Sequence, residues 1–315
     1  MNLIFQNYKF RASQIGNLMT NLETITPKQE QELSELLSRQ EQSKNGNAKP
    51  LTQNMQDKLA ELLDKKNQKP TLPQGAISYL QEVFRDVYWG RKRTPYNKFL
   101  EKGNLCEQDA LDLLSQYDND FYYKNEELLE NNFINGTPDN RQEIIRDTKV
   151  NYDLESFDKA ELTTQYLYQI KSYCWLDKKT KGQLCYCLVN NPIHHIEQER
   201  KSLWYRMGMP VETDTEWIEA HKQLERNMIF DPIKFKEQYP EYEFVNPESD
   251  LYIPPQFRVK KFDIELTQQD IENITTRVVL AREWLTEKEL ETINKLNQFI
   301  KENNEISING YIAMA

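Results

Sequence analysis

The stretch from Gly136 to Tyr173 constrains this chain more than any other. It holds Gly136-Thr137-Pro138-Asp139, then Asp147-Thr148-Lys149 within the run Glu143 to Val150, then Gln169 and Tyr173 within the run Glu161 to Leu176. Ile144, Ile145 and Val150 make the first run read as a short strand, in which side chains two apart share a face. Asp147 and Lys149 then point the same way. The second run is helical in pattern, and a spacing of four stacks Gln169 and Tyr173 on one face, within reach of the same edge.

These residue types suit one chemistry. Hydrolysing a phosphodiester near neutral pH takes a hard cation to polarise the phosphate and acidify water, and Mg²⁺ prefers carboxylate and carbonyl oxygens. Asp139 and Asp147 supply two carboxylates, and the Thr148 backbone carbonyl is a third candidate ligand. Lys149 beside them can hold the attacking water and offset charge building on the phosphate. Each residue also has an ordinary structural reading. Pro138-Asp139-Asn140 is a common turn sequence, Asp147 and Lys149 could form a salt bridge, and Gln169 and Tyr173 could sit on a plain helix face.

The order GxxD, DxK, QxxxY resembles the RecB-type branch of the PD-(D/E)XK nuclease superfamily. The fuller text resembles its YqaJ-like viral recombinase exonucleases, relatives of phage lambda exonuclease. The likeness extends to Phe10-Arg11-Ala12-Ser13-Gln14-Ile15-Gly16, Gly103-Asn104-Leu105-Cys106-Glu107, Asp153-Leu154-Glu155-Ser156-Phe157, Leu184 to Pro192 and Pro254 to Glu265. That resemblance implies an α/β core with a mixed central sheet flanked by helices. It also implies Asp139 and Asp147 as metal ligands, Lys149 as the catalytic lysine, Glu107 as a helix-borne carboxylate completing the site, and Gln169 and Tyr173 as supporting residues. The implied activity is Mg²⁺-dependent digestion of linear double-stranded DNA from its ends, with Mn²⁺ as the alternative ion. A single-strand annealing recombinase is the implied partner, and a homo-oligomer is left open. Rival readings are a structure-specific endonuclease on the same core, and an inactive DNA-binding protein that kept the scaffold.

Glu107 stands out on pattern as well. In the helical run Asn104 to Ser115 it shares a stripe with Leu111 and Leu114, and a carboxylate on a packed face is costly unless paired or bound to metal. Spacing sets a further condition. A flat hairpin turning tightly after Asp139 would leave Asp139 and Asp147 on the order of 13 Å apart at ~3.4 Å per residue. The strand must therefore twist or bulge, or Asp139 must lie just outside the ladder. On the face opposite Asp147 stand Arg146 and Thr148, so either that face is incompletely buried or Arg146 contacts phosphate.

With 315 residues the chain can bury a large core, and its net charge of −10 disfavours coating nucleic acid over a broad surface. A local basic path is compatible with that charge. The first choice is Arg91-Lys92-Arg93, beside Tyr88, Trp89 and Tyr96; Lys171 to Lys181 and Arg258-Val259-Lys260-Lys261 are the others. Ser13 can cap a helix starting at Gln14, which with Arg11 would make a phosphate site. Cys106, Cys174, Cys185 and Cys187 lack CxxC spacing and read as buried thiols. His194 and His195 read either as metal or phosphate ligands or as polar loop residues. No run approaches the ~20 apolar residues of a membrane span, so the expected location is cytoplasmic, the host cytoplasm if the chain is phage-encoded.

Domain boundaries follow from pattern. Ile25-Thr26 and Leu51-Thr52 each precede a helical run, and Ser43 to Pro50 is a polar breaker between them, so 25–70 reads as a helical-hairpin insertion. Residues 1–24 and 71–266 then form the core. The remainder, 267–315, reads as a helical extension: a helix capped by Thr267 through Leu285, a second from Thr286 to Glu302, and a small strand pair in Ile306 to Ala315.

Overall fold

A computed structural model describes residues 3–20, 27–67, 71–93 and 96–302. In chain order the elements are β1 (Phe10–Arg11), a 3-10 turn (Ala12–Leu18), α1 (Pro27–Lys44), α2 (Gln53–Asn67), α3 (Gln74–Tyr88), α4 (Lys98–Leu105) and α5 (Glu107–Asp118). There follow β2 (Leu129–Glu130), β3 (Ile134–Gly136), β4 (Ile145–Val150), α6 (Leu154–Asp158), α7 (Thr164–Leu176) and β5 (Lys181–Cys187). The chain continues through α8 (Ile193–Arg206), α9 (Thr215–Met228), α10 (Pro232–Gln238), α11 (Glu248–Leu251), β6 (Val259–Glu265) and α12 (Gln268–Glu302). The architecture is mixed α/β, with strands in two three-stranded sheets, β1-β3-β2 and β4-β5-β6. Each sheet is itself mixed, because β1 and β3 run parallel while β2 is antiparallel to β3, and β4 and β5 run parallel while β6 is antiparallel to β5.

Contacts divide the chain into two compact units, one drawn from Met1–Gln6, Asn17–Trp89 and Asn273–Ala315, the other from Asn7–Gly16 and Gly90–Glu272. In the first, α1 and α2 pack together around Leu33, Leu36, Leu51, Leu59 and Leu62. The boundary differs from the one read at residue 71, since α3 groups with the hairpin. From Gln268 a single helix replaces the expected pair: no Gly or Pro interrupts it, and a lone Thr286 is too weak a breaker. Its start is as expected, with the Asp270 amide donating to Thr267 Oγ1 and the Thr267 amide donating to the Asp270 carboxylate. The expected strand pair near the C-terminus and the helix-start residue Thr26 lie outside the described residues.

The second unit is built on the alternation of β5. Leu184 and Tyr186 face α7, where they pack with Ile170, Tyr173 and Cys174, while Cys185 and Cys187 face α5 and pack with Cys106, Ala110, Leu111 and Leu114. All four cysteines are buried free thiols, as expected. Burial pushes the Cys174 and Cys185 thiols up to about 12. Lys102 is the unforeseen core residue. Fully buried on α4, its Nζ donates to the carbonyls of Asn151 (2.8 Å), Tyr152 (3.2 Å) and Val189 (2.8 Å), gathering the ends of the segments that follow β4 and β5. Burial pulls its pKa down to about 7, against three acceptors that favour the charged ammonium.

Candidate active site

β4 is the edge strand of its sheet, and the segment after β3 folds back along its free side. The strand begins at Ile145 rather than Glu143, because residues 141–144 form the turn of this hairpin. Asn140 and Arg146 exchange both backbone hydrogen bonds, at 3.0 and 2.9 Å, which places Asp139 opposite Asp147. The separation feared for a turn directly after Asp139 is thereby avoided. Long-range contacts fix the turn further along: Lys179 Nζ donates to the carbonyls of Arg141 and Gln142, and Arg141 pairs with Asp177 at the end of α7.

Pro138 shapes the next step of the ladder. Backbone groups of alternate residues point the same way, so the Thr148 N–H and carbonyl face the hairpin side, as those of Arg146 do. The residue opposite Thr148 is Pro138, which has no N–H to offer that carbonyl. The Thr148 N–H goes instead to the Asp139 carboxylate at 2.6 Å, and Thr148 Oγ1 donates to the same oxygen at 2.7 Å. One proline thus removes the ladder donor to a strand carbonyl beside a carboxylate held from the strand.

Asp147 is buried and pairs with Lys149. From α7, Gln169 Nε2 donates to Asp147 Oδ1 at 3.1 Å and to the Tyr173 hydroxyl at 3.2 Å, so the i, i+4 stack works as its spacing implied. Helix α7 starts at Thr164 rather than Glu161, because the Thr163 hydroxyl accepts from the Tyr166 amide. Tyr166 then lies under the Lys149 ammonium, 5.1 Å from ring centre to Nζ. Tyr173 comes close because residue 136 is glycine. A Cβ there would stand 2.6 Å from the Tyr173 ring and 2.9 Å from Ala12 Cβ.

The electrostatics are those of a carboxylate pair short of positive charge. Burial, then the neighbouring charge of Asp147, raises the Asp139 pKa to about 8. Burial also raises Asp147, with Glu107 adding to the effect and Lys149 opposing it. For Lys149 burial acts downward but Asp147 and Asp139 outweigh it, so its pKa is raised and it stays charged at neutral pH. Two carboxylates on facing positions of the hairpin, Asp139 and Asp147, are donors of the type that suits a hard divalent ion of the Mg²⁺ or Mn²⁺ class. The linkage is testable. Asp139 holds its proton to about pH 8 when folded but only to ~3.9 when unfolded. Its stabilising contribution is therefore complete below ~3.9 and lost as pH rises towards 8. In EDTA, thermal melts of wild type should fall more steeply than those of Asp139→Asn between roughly pH 5 and pH 8; parallel slopes would contradict the assignment.

The other candidates separate. Glu107 is the first residue of α5, half-buried, and paired with Lys124 at 2.8 Å. Its charge reaches Asp147, yet among the described residues its carboxylate does not join those of Asp139 and Asp147 in a cluster closing to within 4.8 Å. Lys124, whose charge also meets Asp139, was not singled out in the sequence because it lies in an irregular segment without periodicity. Arg11 is exposed on β1 next to β3, and its charge reaches Tyr173. Ser13 does not cap a helix from Gln14. It lies inside the 3-10 turn from Ala12, and its carbonyl accepts from Gln165 Nε2 at 3.0 Å.

Arg146, the Arg258–Lys261 run and part of the Lys171–Lys181 run are accounted for structurally. Arg146 is not available as a phosphate contact, because its face of β4 is buried and its guanidinium lies 4.2 Å from the centre of the Tyr122 ring. Arg258 pairs with Asp231, Lys260 donates to the carbonyls of Phe157, Asp158 and Ala160, and Lys261 pairs with Asp118. Lys171 pairs with Asp270, and Lys179 holds the hairpin turn. Arg91, Lys92 and Arg93 are exposed in the segment after α3.

No family model matches the sequence, and comparison with curated proteins gives no match. Among solved structures, a phage-related exonuclease from Haemophilus somnus 129PT aligns with a TM-score of 0.54 at 19% identity, over 91% of this chain and 97% of the other. LHK-Exo in complex with dAMP aligns with a TM-score of 0.49 at 10% identity, over 93% and 96%. The alkaline exonuclease LHK-Exo from Laribacter hongkongensis aligns with a TM-score of 0.45 at 10% identity, over 73% and 89%. The chain has the mixed α/β fold of the phage-related exonuclease, in keeping with the PD-(D/E)XK-like nuclease core that GxxD, DxK and QxxxY resemble.

Proposed function

We propose that this protein is a metal-dependent deoxyribonuclease, and more narrowly an end-dependent exonuclease on linear double-stranded DNA. The observation that carries the reading is that Asp139, held by Thr148, stands opposite Asp147 on β4, with Asp147 paired to Lys149 and braced by Gln169 and Tyr173. The fold supports it, since its structural relative is an exonuclease. No helix among the described residues is long and apolar enough to cross a membrane.

Each residue has a task in phosphodiester hydrolysis. Asp139 and Asp147, with the Thr148 carbonyl, would hold the ion, Mg²⁺ by preference, whose chemistry is to polarise the phosphate and acidify a water. Thr148 keeps Asp139 aimed through its N–H and hydroxyl, and Gln169 aims Asp147. Lys149 remains protonated, so it donates to the attacking water or a phosphate oxygen and stabilises the charge that develops there. Glu107, from the first turn of α5, is the carboxylate that completes the site on this reading, its charge already felt at Asp147. Arg11 and the exposed Arg91-Lys92-Arg93 run remain the candidates for backbone phosphates, with the half-buried Ser13 as a further one. On this reading the partners are DNA ends and a single-strand annealing recombinase, and the location is cytoplasmic.

The test uses end-labelled linear duplex and covalently closed circular duplex, each with Mg²⁺ or EDTA. Mononucleotides released from the linear DNA alone, and only with Mg²⁺, are the expected result. Equal cutting of the circle would instead establish an endonuclease, and retention of DNA without hydrolysis an inactive scaffold.

A further inference from the structure

Helix α8 begins where the sequence suggested a loop, and this brings two adjacent histidines onto one carboxylate. Pro192 precedes the first turn, and Asn191 is fixed there by hydrogen bonds to the carbonyls of Tyr152 and Met228. From that turn His195 Nε2 lies 3.0 Å from Glu101 Oε2, and His194 Nε2 lies 3.5 Å from Glu101 Oε1. Their ligand atoms all fall within 4.8 Å of one another, and among the described residues no other group of three His, Cys, Asp or Glu does so.

The cluster is rigidly supplied from both sides. Glu101 sits on α4 between Lys98, which pairs with Glu199 of α8 at 2.6 Å, and the buried Lys102 with its three carbonyls. The Tyr96 hydroxyl donates to Glu101 at 2.8 Å and steadies the carboxylate. His195 is buried, whereas His194 is 42% exposed, so the open side faces solvent and leaves room for a water as fourth ligand.

We propose that Glu101, His194 and His195 form a second metal site, for a borderline ion such as Zn²⁺, which clamps α4 to α8. Two imidazoles and one carboxylate are the donors such ions favour, and a three-residue set with an open position is a tetrahedral arrangement. Mg²⁺, which demands oxygen ligands and dehydrates reluctantly, is disfavoured there. The site is therefore chemically distinct from the all-oxygen pair at Asp139 and Asp147. Among the described residues His195 Nδ1 has no hydrogen-bond partner, so the affinity falls about 10–100-fold short of sites whose histidines are backed by an acceptor.

The experiment strips the purified full chain with a chelator, then titrates Zn²⁺ by calorimetry with excess Mg²⁺ present, and Co²⁺ by visible absorption. Wild type should bind one Zn²⁺ per chain, show the absorption of tetrahedral Co²⁺, and gain thermal stability on loading. Asp147→Asn should behave the same way. His194→Ala, at a half-exposed position that tolerates truncation, and Glu101→Gln should each weaken binding by at least about tenfold and lose the thermal gain. Unchanged Zn²⁺ binding in both variants would overturn the proposal. So would binding that survives in them and disappears in Asp147→Asn, which would assign the ion to the carboxylate pair.

Discussion

Asp147→Ala and Lys149→Ala should each slow Mg²⁺-dependent hydrolysis of a linear duplex by about 10³-fold, or ~4 kcal/mol of transition-state stabilisation. The two losses have different causes. Asp147 is the buried member of the carboxylate pair and the acceptor for Gln169, so its removal takes away a ligand and releases the brace from α7. Lys149 contributes charge and a donor, held over Tyr166 and kept protonated by the two aspartates. Raising the metal concentration should therefore recover part of the activity in Asp147→Asn and none in Lys149→Ala. Neither variant should unfold: deleting Asp147 relieves repulsion on Asp139, and Lys149 is partly exposed. Single-turnover rates on an end-labelled duplex, with circular dichroism as the folding control, measure both. Unchanged rates would remove these residues from the site.

The largest effect expected away from the chemistry is that of Gly16→Ala. Gly16 lies in the 3-10 turn after β1, and a Cβ there would stand 2.4 Å from Gln165 Cα and 3.0 Å from the Gln165 carbonyl oxygen. Those are backbone atoms of the first turn of α7, and no side-chain rotation relieves the clash. Either the 3-10 turn or α7 must move, at a cost of about 2–3 kcal/mol. Displacing α7 also shifts Gln169 and Tyr173, so activity should fall alongside stability. Gly75→Ala is the matched control. Nothing lies within 4 Å of its Cβ position, it sits in α3, and replacing a helical glycine by alanine should be neutral or stabilise by roughly 0.5–1 kcal/mol. Urea denaturation of the two variants gives the comparison; equal stabilities would show that the 3-10 turn does not pack on α7 as described.

Local periodicity carried much of this site into the sequence. Alternation placed Asp147 and Lys149 together, and a spacing of four placed Gln169 beside Tyr173. What stayed hidden depends on contacts distant in the chain. The hairpin turn falls at 141–144 because Lys179 and Asp177 clamp it, and no local signal announces that. Arg146 faces away from Asp147 as alternation requires, but its burial against Tyr122 comes from a residue in an irregular segment. The basic run at Arg258 to Lys261 looks solvated in one dimension, yet its charges are taken up by Asp231, Asp118 and three carbonyls. Lys102 was unreadable for the same reason, since its acceptors come from two separate segments. Pro138 was legible as a turn residue, but its effect on the Thr148 carbonyl needed the register.

The central claim is that Asp139 and Asp147 bind a divalent cation as a pair. The most direct measurement is calorimetric titration of Mg²⁺ at neutral pH into wild type and into the Asp139→Asn, Asp147→Asn double variant, repeated in two buffers of different ionisation enthalpy. Asp139 retains its proton to about pH 8 in the metal-free fold, so saturable binding should release protons, and the apparent heat should change with the buffer. The double variant should show neither the binding nor the proton release. Binding of equal affinity and equal proton release in the double variant would contradict the account.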